Sequence, residues 1–454
     1  EMEYDIELQS HLKNNNVQHF VMISNISNDA IAVRVRRQIQ DDFSWPAEII
    51  RTQDGKYITR NNSMLNTYLQ YLNKSVQDVE IAVEDSTIAY DIEKFWKVDS
   101  NRLIFTWKGE EVFFEMPKNW KFKDTHSDLF QLAHYVLVEP WDKTVLKNWK
   151  PSRKAGWRPG LAFSGGVDST AALALMPSNT VLIYNERIEI PGQLDHTNAI
   201  RFFDEIENKI NRPVIRIRSN HERLRQLKGK SAGFSTDYAC AVQCIILADH
   251  FGLDSIATGM PLENSYLFHG YRYRDFNKSR FWTNYSAIFD SVGLPLYQPV
   301  AGCSEIINMK ISEQEGWGEW AQACLRSSIE GIGCGKCWKC FRKNTMMGLP
   351  FSMSNEISTF LSKPTLKQAA STLFSIQQNG ISSEGIIIAK EFPHLKPFLA
   401  MNLNFLNFHN TAALELIPEK YRGYTEERLE QYALPMTVSI LQRLKNFDIY
   451  SDSE

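Results

Sequence analysis

Short apolar runs alternate with amphipathic stretches through the middle of the chain. The runs have the length of buried strands, and the stretches between them carry an apolar residue at every third or fourth position, as helices do. Strands and helices that alternate with short links are typical of a parallel sheet covered on both faces, so the pattern predicts a doubly wound α/β domain. The predicted strands are residues 160–163, 180–184, 213–217 and 255–258, and the predicted helices are residues 170–176, 197–211 and 238–251.

The first 150 residues have a different pattern, in which β-type segments dominate. Two of these segments, 103–107 and 112–115, flank a Lys-Gly-Glu-Glu turn and predict a hairpin, and residues 127–138 predict a helix. We therefore expect a separate N-terminal α+β accessory domain at 1–150. It either docks a substrate or partner or stabilises the protein, and the sequence leaves both open. Further β-type segments are residues 20–24, 30–35 and 79–83.

The last part of the chain, 346–454, is predicted to be a helical C-terminal extension, which leaves 151–345 as the central domain. Helical patterns occur at 425–432 and 437–447. The stretch 392–408 is unusually apolar and fits either a groove for a partner or ordinary core packing. The flanking domains are the expected docking surface for any protein partner.

Composition narrows the class of protein. The 454 residues are 43% hydrophobic and 23% charged, which is typical of a globular protein with two or three domains. No apolar run has the length of a membrane span, and no secretory signal precedes the first domain. The net charge of −3 argues against a large nucleic-acid interface, which requires a basic surface. All seven cysteines follow residue 239, and their clustering favours metal binding in a reducing compartment, so we expect a cytoplasmic protein.

A serine–glycine turn joins the predicted strand at 160–163 to the helix that follows it. Two adjacent glycines let the backbone N–H groups of such a turn point outward together, at the positive end of the helix dipole, where phosphates bind. The carboxylate of Asp168 beside a phosphate site requires a bridging cation, which predicts Mg²⁺ arriving with a nucleotide. The residues predicted to line this site are Ser164, Gly165, Gly166, Asp168, Ser169 and Thr170.

These residues resemble the Ser-Gly-Gly-x-Asp-Ser loop (PP-loop) of the N-type ATP pyrophosphatases, whose fold is adenine nucleotide alpha hydrolase-like. The resemblance implies that the loop holds the β,γ-pyrophosphate of ATP while a substrate attacks the α-phosphorus. It also implies catalytic roles for Ser164, Asp168 and Ser169. Asp168 would help to position Mg²⁺. The alternative is a turn that only links a strand to a helix.

Other candidate residues follow the ends of the neighbouring predicted strands, where ligands bind in such sheets. Position and the family resemblance together make Tyr184 and Asn185 candidates for the adenine site, with strand-end packing as the alternative. Gly259 follows the strand at 255–258 and belongs to the same cofactor site. The loop 259–275 combines aromatic side chains with acids and arginines, as recognition of a purine-like carboxylate requires, although a solvated surface loop fits as well. The predicted substrate contacts in it are Glu263, Arg272 and Asp275.

Four cysteines form a C-x₉-C-x₂-C-x₂-C pattern. Four thiolates at this spacing suit the tetrahedral coordination of zinc, and because sulfur fills every position, the predicted site is structural rather than catalytic. Nearby cations would offset the negative charge of the cluster; the alternative is four free thiols. The predicted ligands are Cys324, Cys334, Cys337 and Cys340, and the nearby cations are Lys336, Lys339, Arg342 and Lys343.

A PP-loop followed by this cluster resembles the 7-cyano-7-deazaguanine synthase (QueC-like) family over residues 158–345. That family carries C-x₈-C-x₂-C-x₂-C, one residue shorter in the first spacer. Its Tyr-Gly-Gln-x-His stretch is interrupted here by residues 185–191, which separate Tyr184 from Gly192, Gln193 and His196. Residues 1–150 and 346–454 have no counterpart in that family.

The resemblance implies an ATP-dependent carbon–nitrogen ligase that releases AMP and pyrophosphate. Such an enzyme would adenylate the carboxylate of 7-carboxy-7-deazaguanine and transfer the acyl group to an amine, with ATP, magnesium and zinc as cofactors. QueC-like proteins with extra domains also occur in bacterial antiviral operons, which implies an acceptor amine on a partner protein.

The sequence leaves three alternatives to the protein-acceptor version. One is release of free 7-cyano-7-deazaguanine with ammonia as the amine. Another is a tRNA-modifying PP-loop enzyme, and the third is a non-catalytic scaffold that retains nucleotide binding. A homodimer also remains open, and neither a membrane nor a large nucleic-acid partner is expected.

Overall fold

The computed structural model describes residues 49–51, 57–59, 90–191, 194–321, 324–327, 333–349, 351–363, 366, 368–378 and 388–449. The chain divides into two compact units, Glu1–Ile88 and Ala89–Glu454. In the first unit, β1 (Ile49–Arg51) pairs antiparallel with β2 (Tyr57–Thr59). The predicted strands at 20–24, 30–35 and 79–83 lie outside the described residues.

The second unit has α/β architecture, with eight strands in one mixed sheet. The strands are β3 (Trp96–Asp99), β4 (Arg102–Trp107), β5 (Glu110–Glu115), β6 (Arg158–Ala162), β7 (Val181–Arg187), β8 (Val214–Ser219), β9 (Leu253–Ala257) and β10 (Leu296–Tyr297). Their order across the sheet is β10-β9-β6-β7-β8-β5-β4-β3. The five strands from β10 to β8 are mutually parallel, whereas β5, β4 and β3 continue the sheet with antiparallel pairing.

Helices surround this sheet in the described part of the second unit. The helices are α1 (Ile92–Phe95), α2 (Ser127–Val138), α3 (Val167–Leu175), α4 (Thr197–Ile210), α5 (Val242–Ile246), α6 (Ala248–Phe251), α7 (Arg280–Ser291), α8 (Glu305–Gln314), α9 (Trp338–Met346), α10 (Asn355–Leu361), α11 (Ala369–Gln378), α12 (Glu419–Glu430) and α13 (Val438–Lys445). Within the described residues, no helix combines the length and apolar character needed to cross a membrane.

Two apolar cores lie on opposite faces of the sheet. Successive side chains of a strand point to opposite faces, and in β7 Leu182 and Tyr184 belong to one core while Ile183 belongs to the other. Helices α3, α4 and α8 bury their apolar residues in the core that contains Leu182 and Tyr184. Helices α2 and α5 bury theirs in the core that contains Ile183. The predicted parallel strands and their covering helices are therefore present in the central part of the sheet.

The sheet extends further towards the N-terminus of the chain than the sequence indicated. The predicted hairpin is present as β4 and β5, and α2 spans the predicted residues 127–138. However, β5 pairs with β8 through Phe114 and Ser219, and the Phe113 N–H donates to Asn220 Oδ1 at 2.8 Å. The sheet is consequently mixed rather than wholly parallel, and the hairpin and α2 belong to the same compact unit as the parallel strands.

The C-terminal residues belong to the same unit as the central sheet. The predicted helices at 425–432 and 437–447 overlap α12 and α13. Tyr297 of β10 and Thr425 of α12 share a buried hydrogen bond of 2.5 Å between their hydroxyls. In the apolar stretch 392–408, Leu403, Phe405 and Leu406 are buried in one of the two cores. These three residues therefore form core packing rather than an exposed groove.

Candidate functional site

The serine–glycine turn lies between the end of β6 at Ala162 and the start of α3 at Val167. Gly165 has a φ of +69°, a left-handed conformation that favours glycine. A Cβ at this position would also lie 3.0 Å from the Phe203 ring. Gly166 is the N-cap of α3 and supplies no side-chain hydrogen bond to it, so the helix N-terminus is free of a protein cap. The predicted strand–turn–helix is present, and the helix begins three residues earlier than expected.

Two serine hydroxyls hold the turn in shape. The Oγ atoms of Ser164 and Ser169 are 2.9 Å apart, and Ser169 Oγ accepts from the Ser164 N–H at 3.2 Å. Ser169 Oγ also donates to the Gly166 carbonyl at 3.1 Å. Ser169 is buried, as is the neighbouring Thr170, whereas Ser164 is exposed. Ser169 therefore stabilises the turn, and Ser164 is the hydroxyl that a ligand can reach.

Gly259 lies against this turn at the end of β9. A Cβ on Gly259 would be 2.6 Å from the Ser169 backbone nitrogen and 2.8 Å from the Asp168 carbonyl carbon. Only a residue without a side chain permits so close an approach of two backbones. The parallel strands thus bring Gly259 to the loop, as the sequence indicated.

Two carboxylates, those of Asp168 and Glu263, interact electrostatically beside the turn. Burial raises the pKa of Asp168, while a 2.8 Å hydrogen bond from Asn308 Nδ2 and nearby positive charges oppose this effect. Burial and the negative charge of Asp168 raise the pKa of Glu263 to about 8. Asn308 Oδ1 is buried and has no hydrogen-bond partner. Carboxylate and amide oxygens are the ligands that Mg²⁺ accepts, and a bound cation would let both acids ionise, so this donor set fits magnesium.

Helix α9 brings positive charge to the same place. Arg342 is buried, forms an ion pair with Glu305, and interacts electrostatically with Asp168 and Glu263. Lys339 and Lys343 also interact electrostatically with Asp168. Burial lowers the pKa of Lys343 to about 7. Sequence reasoning assigned these cations to the cysteine cluster only, although their i, i+3, i+4 spacing places them on one helical face.

Glu263 is also tied to the C-terminal part of the chain. The hydroxyl of Ser371, on α11, donates to Glu263 Oε1, and the Glu305 N–H donates to the same carboxylate at 3.2 Å. Gln368 Nε2 donates to Asn264 Oδ1 at 2.7 Å. Residues of the predicted C-terminal extension therefore form hydrogen bonds with Glu263 and with the neighbouring Asn264.

The two residues predicted to meet adenine, Tyr184 and Asn185, are buried in the middle of β7 rather than at its end. The Tyr184 hydroxyl is hydrogen-bonded to His196 Nδ1, and Asn185 Oδ1 accepts from Ser219 Oγ at 2.6 Å. Asn185 Nδ2 is buried without a partner. A cavity of about 500 Å³ lies just beyond, lined by residues including Arg187, Glu189, Asp195 and His196. Its volume suits a small ligand, and the adenine role of Tyr184 and Asn185 stays a prediction.

The other two predicted substrate residues are not buried. Arg272 lies over the Phe268 ring and bridges to Asp448 through its backbone. The Asp275 carboxylate forms an ion pair with Lys278 at 3.1 Å. Of these three described residues, Glu263 is the one that interacts electrostatically with Asp168. Substrate roles for Arg272 and Asp275 stay predictions.

The four clustered cysteines face one another. All four Sγ atoms lie within 4.8 Å of one another, and Cys334 Sγ is 3.8 Å from Cys340 Sγ. Tetrahedral zinc with Zn–S bonds of about 2.3 Å separates its sulfurs by about 3.8 Å. Cys337 is the N-cap of α9, and its Sγ accepts from the Cys340 N–H at 3.4 Å. These thiols could hold a metal ion, and zinc fits their chemistry.

Comparison with known families gives one match. A family of unknown function (DUF6395) matches residues 284–448. The matched segment contains the four cysteines and α9, and it does not contain the serine–glycine turn at 164–166. No curated protein matches the chain. The match covers less than half of the chain and attaches no activity to it.

Proposed function

We propose that this protein is a QueC-like, ATP-dependent carbon–nitrogen ligase with an N-type PP-loop in a doubly wound fold. The observation that carries the proposal is the glycine turn at the N-terminus of α3, which has no side-chain cap, beside Asp168 and Glu263, whose carboxylates interact electrostatically. Helix N-termini with freely pointing N–H groups bind phosphates, and paired acids bind the Mg²⁺ that accompanies a nucleoside triphosphate.

The proposed first step is adenylation of a substrate carboxylate. A carboxylate is a poor acyl donor because oxide would have to leave. Its oxygen attacks the α-phosphorus of ATP, the bond to the β-phosphate oxygen breaks, and pyrophosphate departs. The backbone N–H groups of the first turn of α3, which has no side-chain cap, and the hydroxyl of Ser164 stabilise the negative charge that develops on the pyrophosphate. Asp168 and Glu263 would hold Mg²⁺, which would supply further charge neutralisation.

The proposed second step is transfer of the acyl group to an amine, with AMP as the leaving group. We propose 7-carboxy-7-deazaguanine as the acyl donor and an amine on a partner protein as the acceptor, in bacterial antiviral defence. Support for a protein acceptor comes from residues 1–150 and 346–454, which lie outside the QueC-like segment and are the expected docking surface. An enzyme that uses ammonia needs no such surface. Formation of free 7-cyano-7-deazaguanine with ammonia is the competing version.

The test is substrate-dependent release of pyrophosphate from ATP. The wild-type protein should release pyrophosphate when 7-carboxy-7-deazaguanine and Mg²⁺ are present. Asp168→Ala should lower the rate at least about 100-fold, because it removes a carboxylate that would hold the Mg²⁺ needed to neutralise the phosphates. Asp204→Ala is the matched control, because Asp204 is an exposed acid on α4. Equal rates for the wild type and Asp168→Ala would rule out the proposed site.

The acceptor is tested separately by mass spectrometry. Proteins co-expressed with the wild type and supplied with the deazaguanine precursor should gain the mass of the acyl group. Stoichiometric release of the nitrile in the presence of ammonia, with no protein adduct, would show that the acceptor is ammonia and not a protein.

A further inference from the structure

Helix α8 forms hydrogen bonds with both acids beside the serine–glycine turn. The backbone N–H of Glu305, the first residue of the helix, donates to both oxygens of Glu263 at 3.2 Å. The side chain of Asn308 donates from Nδ2 to Asp168 Oδ1 at 2.8 Å. Residues three apart lie on one face of a helix and are separated by about 4.5 Å along its axis. The first turn of α8 therefore holds Asp168 and Glu263 at the same end of the helix by direct contacts.

The Asn308 amide has one polar atom that the fold does not use. Asn308 has no exposed surface, and its Oδ1 forms no hydrogen bond within the described part of the chain. An ionised carboxylate can only accept hydrogen bonds, so Asp168 fixes the amide with its nitrogen towards the acid. Leaving a buried amide oxygen unpaired costs about 1 to 3 kcal/mol. Oδ1 is therefore a buried oxygen available to a positively charged ligand.

The acids at the start of α8 outnumber the cations that are paired with them. Glu305 forms an ion pair with Arg342. Asp168 and Glu263 form no ion pair with a residue of the described ranges, and Glu263 accepts instead from the Ser371 hydroxyl and from the Glu305 N–H. Buried carboxylates without an ion pair favour a bound cation, and hard divalent cations take carboxylate and amide oxygens together.

We propose that Asn308 is the third protein ligand of the divalent cation at Asp168 and Glu263, through its Oδ1, while its Nδ2 orients Asp168. The proposal rests on the proposed function, since it names a further residue of the same magnesium site. Side chains of a helix lean towards its N-terminus, so the Asn308 amide lies over the turn whose first N–H holds Glu263. The ligands come from α3, from the loop after β9 and from α8, so the cation joins three separate segments.

The first test measures Mn²⁺ binding to the zinc-loaded full chain by electron paramagnetic resonance, because Mn²⁺ takes the same oxygen ligands as Mg²⁺. Asn308→Leu should weaken Mn²⁺ binding about 10- to 100-fold, as the loss of a metal-site partner does. Ser312→Ala is the matched control. Ser312 lies one turn further along α8, is also buried, and donates to the Asn308 carbonyl at 2.9 Å. This control should bind Mn²⁺ like the wild type, and equal binding by Asn308→Leu would overturn the role of Asn308.

A second variant separates a ligand from a residue that only orients Asp168. Asn308→Asp keeps an oxygen but removes the N–H that Asp168 accepts, and it adds a negative charge beside that acid. If Asn308 is a ligand, this variant should bind Mn²⁺ at least as tightly as the wild type, because hard cations prefer carboxylates. Mn²⁺ should also raise its unfolding temperature more than that of the wild type, since the ion relieves the repulsion between the two carboxylates. If Asn308→Asp loses as much Mn²⁺ affinity as Asn308→Leu, the role as a ligand is overturned.

Failure of this inference is distinguishable from failure of the proposed function. If the wild type releases pyrophosphate with substrate and Asn308→Leu binds Mn²⁺ normally, Asn308 is not a ligand and the proposed function stands. If Asn308→Leu loses Mn²⁺ but the wild type never releases pyrophosphate, the proposed function is overturned and the cation site stands. If the wild type binds no Mn²⁺, with or without ATP, the cation site is overturned and this inference with it.

Discussion

The serine–glycine turn and the cysteine cluster are both short segments with chemistry visible in the sequence, but they are held in different ways. The turn is fixed by the protein itself, through the hydrogen bonds of Ser164 and Ser169 and the backbone contact at Gly259. The cluster is joined by weak contacts between thiols, such as the 3.8 Å pair of Cys334 and Cys340. A phosphate site can thus be preformed by packing, whereas a four-thiolate site depends on the ion that binds it.

The largest expected effect comes from removing one cysteine. Cys340→Ser should abolish stoichiometric metal binding and lower the free energy of unfolding by about 4 kcal/mol when the metal is present at about 1,000 times its dissociation constant. Metal analysis and chemical denaturation measure both quantities. Cys240→Ser is the control, since Cys240 lies outside the cluster and donates to the Asp237 carbonyl as a serine can. Full metal content in Cys340→Ser would disprove the four-thiolate assignment.

A smaller effect is expected from adding one methyl group to Gly259, whose backbone lies against the turn. Gly259→Ala places a Cβ 2.6 Å from the Ser169 nitrogen, so the turn must shift, at a cost of about 1 to 3 kcal/mol. Thermal unfolding should show this loss, and Mg²⁺-ATP affinity should fall while metal content stays unchanged. Gly423→Ala, in α12 with nothing within 4 Å of the added Cβ, should leave ATP affinity unchanged. Normal affinity in Gly259→Ala would show that the turn is not rigidly preformed.

The smallest expected effect is a change in how stability depends on pH. Burial raises the pKa of Glu263 to about 8, above its usual 4.5, so its favourable contribution is complete below pH 4.5 and is lost as pH rises to about 8. Between about pH 6.5 and 8, measured without added Mg²⁺, Glu263→Gln should therefore lose about 2 kcal/mol less stability than the wild type. Denaturant titrations across this range provide the measurement.

The control for this pH effect is Glu111→Gln on β5, in the antiparallel part of the sheet. A hydrogen bond from Lys97 lowers the pKa of Glu111, so its contribution is lost only as pH falls through the acid range. The Glu111→Gln substitution should leave the dependence of stability on pH unchanged across the same neutral range. If Glu263→Gln has the same slope as the wild type there, Glu263 is already ionised in the folded protein.

Local patterns determined much of the fold and of the candidate site. The turn between β6 and α3, the hairpin of β4 and β5, and helix α2 each depend on residues close together in sequence, where turn chemistry and periodicity act directly. The spacing of Cys334, Cys337 and Cys340 by itself likewise indicates a metal site. Each of these features uses contacts within a few residues or along one segment.

The tertiary structure decided the features that depend on distant pairs. The Phe113–Asn220 hydrogen bond joins residues 107 positions apart and helps to attach the antiparallel strands to the parallel sheet. Asn308 reaches Asp168 across 140 positions, and α9 brings Lys339 and Arg342 to the same carboxylate. Hydrophobic periodicity indicates which face of an element is buried. It does not indicate which other element covers that face, because the hydrophobic effect is non-directional. The partners of Asp168 are therefore set by how the elements pack, and no local pattern contains that information.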